Sequence, residues 1–398
     1  MTYDFTSIMD RHGKDSIAVD GLGQLGFSPD PPKEGFDVIP MWIADMNFPT
    51  VPTVPEAIIE RAKHPAYGYF SPTDEYFDAI IRWQSTRNGV TGLTREAIGY
   101  ENGVLGGVIS ALTAFAAPGD AVLLHSPTYI GFTMSIENNG YRIVHSPLTR
   151  DADGVWRMDF DDMDRKIKEN NIHVAVFCSP HNPSGRVWTE EELRRIGDIC
   201  LANGVRIASD EIHCDLTRKA SHMVSITSLY PQDPRIVTMM STSKTFNCAG
   251  NHHSYIIVYD QEIKEILDDN NYCGTMNPLS VEAVIAAYTK CEDWLDELRD
   301  YIDANFAYLD EFIKENLPRA KFRIAEGTYL AWIDLSGYVS DYEGGMKELE
   351  TRISKAGLYL EYAGEFVEND DGFARMNMAC PRSTVQKACE ILKSVLEG

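Results

Sequence analysis

From about residue 100 onward the chain alternates between two rhythms. Segments with helical apolar spacing are separated by short runs dominated by apolar residues. The helical segments are 104–116, 129–139, 159–170 and 189–203. The last opens on Thr189 with Glu192 three residues on, the signature of a capping box, and stops at Gly204. The runs at 121–124, 141–144, 174–178, 205–209, 235–240 and 255–258 are too short for helices and read as strands. Strands apolar on both faces and separated by helices build a mostly parallel sheet covered on both sides. The central region is therefore expected to be α/β, with ligands beyond the carboxyl ends of its strands.

The tail has a different rhythm. Residues 294–316 carry Leu295, Leu298, Ile302, Phe306, Leu309 and Ile313 on one helical stripe. A strand at 330–334, a helix at 346–356, a strand at 375–378 and a helix at 384–396 follow, which reads as a smaller α+β domain. The expected division is an N-terminal segment 1–50 joining the small domain, a large domain 51–285 and a small domain 286–398. Residues 21–40 are rich in Gly and Pro and read as ordered coil. They contain a formal G-x-G-x-x-G at Gly21, Gly23 and Gly26, but prolines follow where a nucleotide-binding loop needs a helix.

Charge narrows the partners. With 36 Lys and Arg against 60 Asp and Glu, the net charge is −24 over 398 residues. That surplus argues against nucleic acid or anionic membrane as a partner, so an anionic ligand needs specific local donors. No run approaches the ~18 apolar residues of a membrane span. The opening residues lack a secretory signal pattern, and the eight cysteines are scattered with no CxxC pair, so a reducing cytoplasmic setting is expected. No metal site is expected; His252 and His253 lack a spaced carboxylate or Cys to complete one.

Three polar sites follow three of the strands: Ser179-Pro180-His181-Asn182-Pro183-Ser184-Gly185, then Asp210-Glu211-Ile212-His213, then Ser241-Thr242-Ser243-Lys244. Singly these are a turn, a helix cap and a solvated lysine. Together, at strands lying side by side, they would meet at one edge of the sheet. A Lys amine forms a Schiff base with an aldehyde cofactor, and pyridoxal phosphate needs an acid at its ring nitrogen. Lys244 and Asp210 suit those two roles, and Asn182 and His213 could hydrogen-bond the phenolic oxygen. The Gly-rich stretch 101–107 enters a helix whose free amides, at Gly103, Val104 and Leu105, suit a phosphate, with Ser241 and Ser243 adding hydroxyls. Tyr129 follows another strand, where it could stack on a flat ring.

The set NGVLGG, SPTYIGF, CSPHNPSGRVW, SDEIH, STSKTFN, TYLAW and FARMNMACPRS resembles the fold-type I, class I/II aminotransferase superfamily. It is most similar to the cystathionine β-lyase-like (C–S lyase) branch, and the likeness runs from PMWIADMNFPT to CPRS. SDEIH puts His213 where many aminotransferases carry Tyr. The resemblance implies the pyridoxal-phosphate-dependent transferase fold, with Lys244, Asp210 and Tyr129 as catalytic residues. It implies that Arg375 clamps the substrate α-carboxylate, with Asn182 and Ala44 beside it. Tyr69, or failing that Tyr67, would reach across a homodimer interface to the neighbour's cofactor phosphate. His252 stands where many members carry an Arg that pairs with the phosphate. The implied reaction is α,β-elimination from cystathionine, cysteine or related S-conjugates to pyruvate, ammonia and a thiol. The alternatives are an aminotransferase, which shares the early steps, and a cofactor-binding regulator.

Overall fold

The computed structural model describes residues 2–269, 276–366 and 372–398. Its centre is a seven-stranded sheet: β1 (Ile98–Glu101), β2 (Ala121–Ser126), β3 (Arg142–Pro147), β4 (Val174–Cys178), β5 (Arg206–Asp210), β6 (Ile236–Met240) and β7 (Ser254–Val258). The spatial order is β1-β7-β6-β5-β4-β2-β3. Neighbours from β6 to β3 pair in parallel, while β7 runs antiparallel to both β1 and β6. The reversal at β7 follows from the connection 241–253, which holds one four-residue helix and a 3-10 turn and no crossover helix.

The fully apolar runs are explained by burial on both faces. Along β4, Val174 and Val176 join one cluster with Val104, Val108 and Leu112 of helix α1 (Val104–Phe115). Ala175 and Phe177 join a second cluster with Leu193 and Ile196 on the opposite face. Thr189 caps the helix Glu190–Ala202, and its capping box with Glu192 is complete. Helix α2 (Ile130–Asn138) follows β2, and the four-residue helix α3 (Thr242–Thr245) follows β6. Strand β1 and the helices Thr53–Ala62, Asp74–Arg87 and Pro278–Lys290 add to what the apolar rhythm outlined.

The helix Glu292–Asn316 buries all six residues of the expected stripe. Beyond it, β8 (Leu330–Asp334), β9 (Glu361–Tyr362) and β10 (Phe373–Asn377) form a small antiparallel sheet in the order β8-β10-β9. The start of the chain is tied to this region. Ile39–Pro40 pairs in parallel with Leu358–Tyr359, and Asn377 N–H donates to the Met41 carbonyl at 2.9 Å. Asn377 Nδ2 also donates to the Ile43 and Asp45 carbonyls, and Asn247 Nδ2 to the Met46 and Phe48 carbonyls, which holds residues 41–48 against the segment that follows β6. Seven cysteines are free and buried, and Cys273 lies outside the described residues. No described helix is long and apolar enough to cross a membrane.

Candidate active site

In strand order, β2 and β4 are adjacent, yet the chain leaves β2 toward one edge of the sheet and leaves β4 toward the other. That is a switch point, where an open α/β sheet forms a crevice at its carboxyl ends. Tyr129 follows β2, Asn182 follows β4, Asp210 ends β5 and Lys244 follows β6. The registers keep these ends in step: Cys178 stands opposite Asp210, and Asp210 opposite Met239. The pairing continues into the loops, with Ser179 N–H on the Asp210 carbonyl and Glu211 N–H on the Met239 carbonyl, both at 2.9 Å. The backbone thus brings three separate motifs into one place.

Asp210 is buried, and its side chain accepts the Ile212 N–H at 2.9 Å. No side chain hydrogen-bonds to it among the described residues. Burial pushes its carboxyl up to about 7, and the nearby Lys244 charge works in the opposite direction. Lys244 is partly buried on the short turn α3, which Ser241 caps by accepting the Ser243 N–H at 3.0 Å. Its amine donates to the Ala44 carbonyl at 2.6 Å. Desolvation in the cleft lowers the amine to about 8, with Asp45 opposing and Arg375 assisting.

His213 is buried, its Nδ1 has no hydrogen-bond partner among the described residues, and its ring meets Tyr329 edge-on at 5.8 Å. Burial and the Lys244 and Arg375 charges hold it well below the usual histidine range, so it is neutral. Tyr129 lines the cleft, and its phenol is raised, chiefly by burial. Gly131 lets that ring lie where it does, since a Cβ there would collide with the Tyr129 ring. Arg375, 2% exposed, donates to Asn182 Oδ1 and to the Trp42 carbonyl, each at 3.0 Å. Burial lowers its pKa to about 10, so it stays cationic at neutral pH. Lys244, Tyr129, Arg375, Trp42 and Ala44 share the wall of a cavity of about 770 Å³.

A second group of polar atoms gathers around His253 and Ser254. Ser241 Oγ donates to the His253 carbonyl at 2.5 Å and lies 2.7 Å from Ser243 Oγ. Ser254 Oγ accepts the Gly103 N–H at 3.1 Å. Gly103 adopts φ +136°, a backbone that favours glycine, and open space faces its missing side chain. With the Gly103 amide engaged, Val104 and Leu105 head α1, a helix without a side-chain cap. Such an N-terminus suits an anion. Tyr69 stands apart from all of this, its side chain fully exposed between the helices Thr53–Ala62 and Asp74–Arg87. Tyr67 is also exposed, and its hydroxyl hydrogen-bonds the Ala62 carbonyl.

Two residues at the site carried no assigned role in the sequence. Tyr329, in TYLAW, is fully buried and donates to the same Ala44 carbonyl that Lys244 reaches, at 2.8 Å. Glu361 ion-pairs with Arg375 across β9 and β10. The first could have been suspected from its motif. The second depends on a two-residue strand with no periodic signal.

The arrangement gathers an amine, a buried carboxyl, a buried guanidinium and uncapped helix amides at one end of the large sheet. The family profile of aminotransferase class I and II matches residues 37–392, and the chain belongs to that family. Cystathionine beta-lyase PatB of Bacillus subtilis is 35% identical to it, over 97% of this chain and 98% of that protein. Protein MalY of Escherichia coli is 30% identical over 97% and 96%. The crystal structure of the PLP-bound C-S lyase from Staphylococcus hominis superposes with a TM-score of 0.91 at 36% identity, covering 100% of this chain and 99% of the other.

Proposed function

We propose that this protein is a pyridoxal 5′-phosphate-dependent carbon–sulfur β-lyase acting on cystathionine, cysteine or related S-conjugates. The observation that carries the reading is the desolvated Lys244 amine, which shares the wall of one cleft with the buried Arg375 guanidinium and interacts with the buried Asp210 carboxyl. Full-length likeness to C–S lyases supports it. The residues present fit the cofactor. Among the described residues, His213 Nδ1 and Arg375 Nε are buried without hydrogen-bond partners, and open space faces Gly103 at the head of a helix. Lys244 would hold the cofactor's aldehyde, Asp210 its ring nitrogen, Asn182 and His213 its phenolic oxygen, and Tyr129 a ring face. Val104, Leu105, Ser241 and Ser243 would hold the phosphate, with Gly103 giving room.

When bound, pyridoxal phosphate supplies an aldehyde for the substrate's amine and a ring that draws electrons from Cα. Arg375 binds the α-carboxylate as a two-pronged clamp and so fixes which bond at Cα reacts. Lys244, a weaker base in the cleft than in water, takes the Cα proton and delivers it to the departing sulfur. The C–S bond breaks with its electron pair on sulfur. Water then converts the three-carbon remainder to pyruvate and ammonia. Purified protein given L-cystathionine is expected to release pyruvate, ammonia and thiol in equal amounts with no 2-oxo acid added. A requirement for a 2-oxo acid, with no thiol released, would identify an aminotransferase instead.

The same reading extends to assembly. We propose a homodimer in which Tyr69 serves the partner's phosphate, which its full exposure supports. Mixing inactive Lys244→Ala with Tyr69→Ala protein is expected to raise activity above either alone, because hybrids rebuild one complete site; no gain contradicts a shared site. The parts 1–50, 51–285 and 286–398 are proposed as arm, large domain and small domain, supported by the pairing of Ile39–Pro40 with Leu358–Tyr359. Free buried thiols support a cytoplasmic setting.

A further inference from the structure

We propose that Glu361 is a built-in competitor for the substrate's α-carboxylate, occupying Arg375 in the free enzyme and thereby setting KM. The inference rests on the reading of Arg375 as the carboxylate clamp. Glu361 stands directly opposite Arg375 in the antiparallel register of β9 and β10, so both side chains project from one face of the small sheet. Its Oε2 is paired with Arg375 Nη2. The guanidinium is held from other directions by Asn182 Oδ1 and the Trp42 carbonyl, and it lies over the Phe366 ring at 4.9 Å. Asp30, Glu350 and Glu365 also line the cavity, but of its acids only Glu361 is paired with Arg375 among the described residues; Asp45, near Lys244, is engaged by Arg11 at 2.5 Å. A guanidinium this buried is costly unless a carboxylate meets it, and Glu361 is that carboxylate before any substrate arrives.

A second carboxylate cannot join the pair without cost. Two anions on one desolvated cation repel each other, and Glu361 already supplies one. Substrate binding is therefore an exchange. Glu361 has somewhere to go: its side chain keeps 16% exposure, and it borders the 770 Å³ cavity alongside Lys244 and Tyr129. Asn182 and Trp42 keep the guanidinium in place while the carboxylates trade. The exchange weakens ground-state and transition-state binding alike, so it raises KM and leaves the chemical step alone. It also filters ligands, because only a group that pairs with Arg375 better than Glu361 does gains the site.

The test is steady-state kinetics of the cofactor-loaded enzyme with L-cystathionine, together with competitive inhibition by propionate, a carboxylate with no amine. Glu361→Gln is expected to lower both KM and the propionate inhibition constant about threefold to tenfold, the range of a partly screened ion pair, while kcat shifts less than twofold. Glu361→Ala should move both constants in the same direction if the Gln variant folds poorly. Unchanged or raised constants in both variants would overturn the inference and make Glu361 a support for Arg375. Arg375→Gln separates the two readings. If it raises KM about a hundredfold while the Glu361 variants change nothing, only this inference fails. If it leaves KM and propionate inhibition unchanged, the clamp reading itself is wrong.

Discussion

Two buried aspartates, five positions apart, have opposite surroundings. Asp215 accepts the Trp83 indole N–H at 3.1 and 3.2 Å and the Thr245 hydroxyl at 3.0 Å, and Arg87 lies 3.9 Å away. Nearby, Gln84, Tyr255 and Tyr288 complete one another's hydrogen bonds. Asp210 has a single backbone amide, and at the same candidate site His213 Nδ1 and Arg375 Nε find no hydrogen-bond partner among the described residues. Burial raises the pKa of both carboxyls, so titration alone does not tell them apart. Partnership does. A folded chain completes the polar groups it needs for stability and leaves incomplete those that await a ligand.

The contrast can be broken by mutation. Lys244→Ala should have the largest effect, lowering cystathionine cleavage by about 10⁴-fold or more, because the proposed mechanism makes base and cofactor anchor one amine. Asp210→Asn should cost about 10²–10⁴-fold in kcat while the apoprotein melts no lower than wild type. Asp215→Ala should reverse that pattern. Chemical denaturation should show a loss of about 2–4 kcal/mol, since it strands the Trp83 and Thr245 donors, while the folded fraction keeps cofactor and turnover. If the two aspartate variants behave alike, the distinction drawn from their partners is wrong.

The site's pH dependence sharpens the same comparison. With Lys244 near 8 instead of its ordinary 10.5, the neutral amine is available close to physiological pH, so cofactor capture by apoprotein should speed up as pH rises to about 8 and then level off. The smallest effect is on apoprotein stability. Asp210 titrates near 7 in the fold against 3.8 as a free side chain, so within that window the native state holds a proton that the unfolded chain has lost. Its contribution to stability therefore falls as pH rises from about 4 to 7. Asp210→Asn should make that slope shallower without abolishing it, as read by thermal melts across the range, because burial also raises the Glu211 and Asp215 carboxyls.

The large sheet and the core of its site were legible in sequence because each key residue directly follows an apolar strand. Once β4, β5 and β6 lie side by side, Asn182, Asp210 and Lys244 must converge. The contacts that finish the site lie far apart in the chain. Lys244 rests on a carbonyl 200 residues earlier, and Arg375 binds Asn182 across 193. No local pattern encodes such distances. Glu361 was hidden for a related reason, since its strand is two residues long and its partner is assigned only by register. The reversal of β7 was likewise invisible in an apolar run that fits either direction.

The most direct measurement is to reduce the cofactor-loaded enzyme with borohydride, digest it and locate the pyridoxyl group by mass spectrometry. The account predicts the label on Lys244 alone, at one per chain. A label on any other lysine, or none at all after full loading, would contradict it.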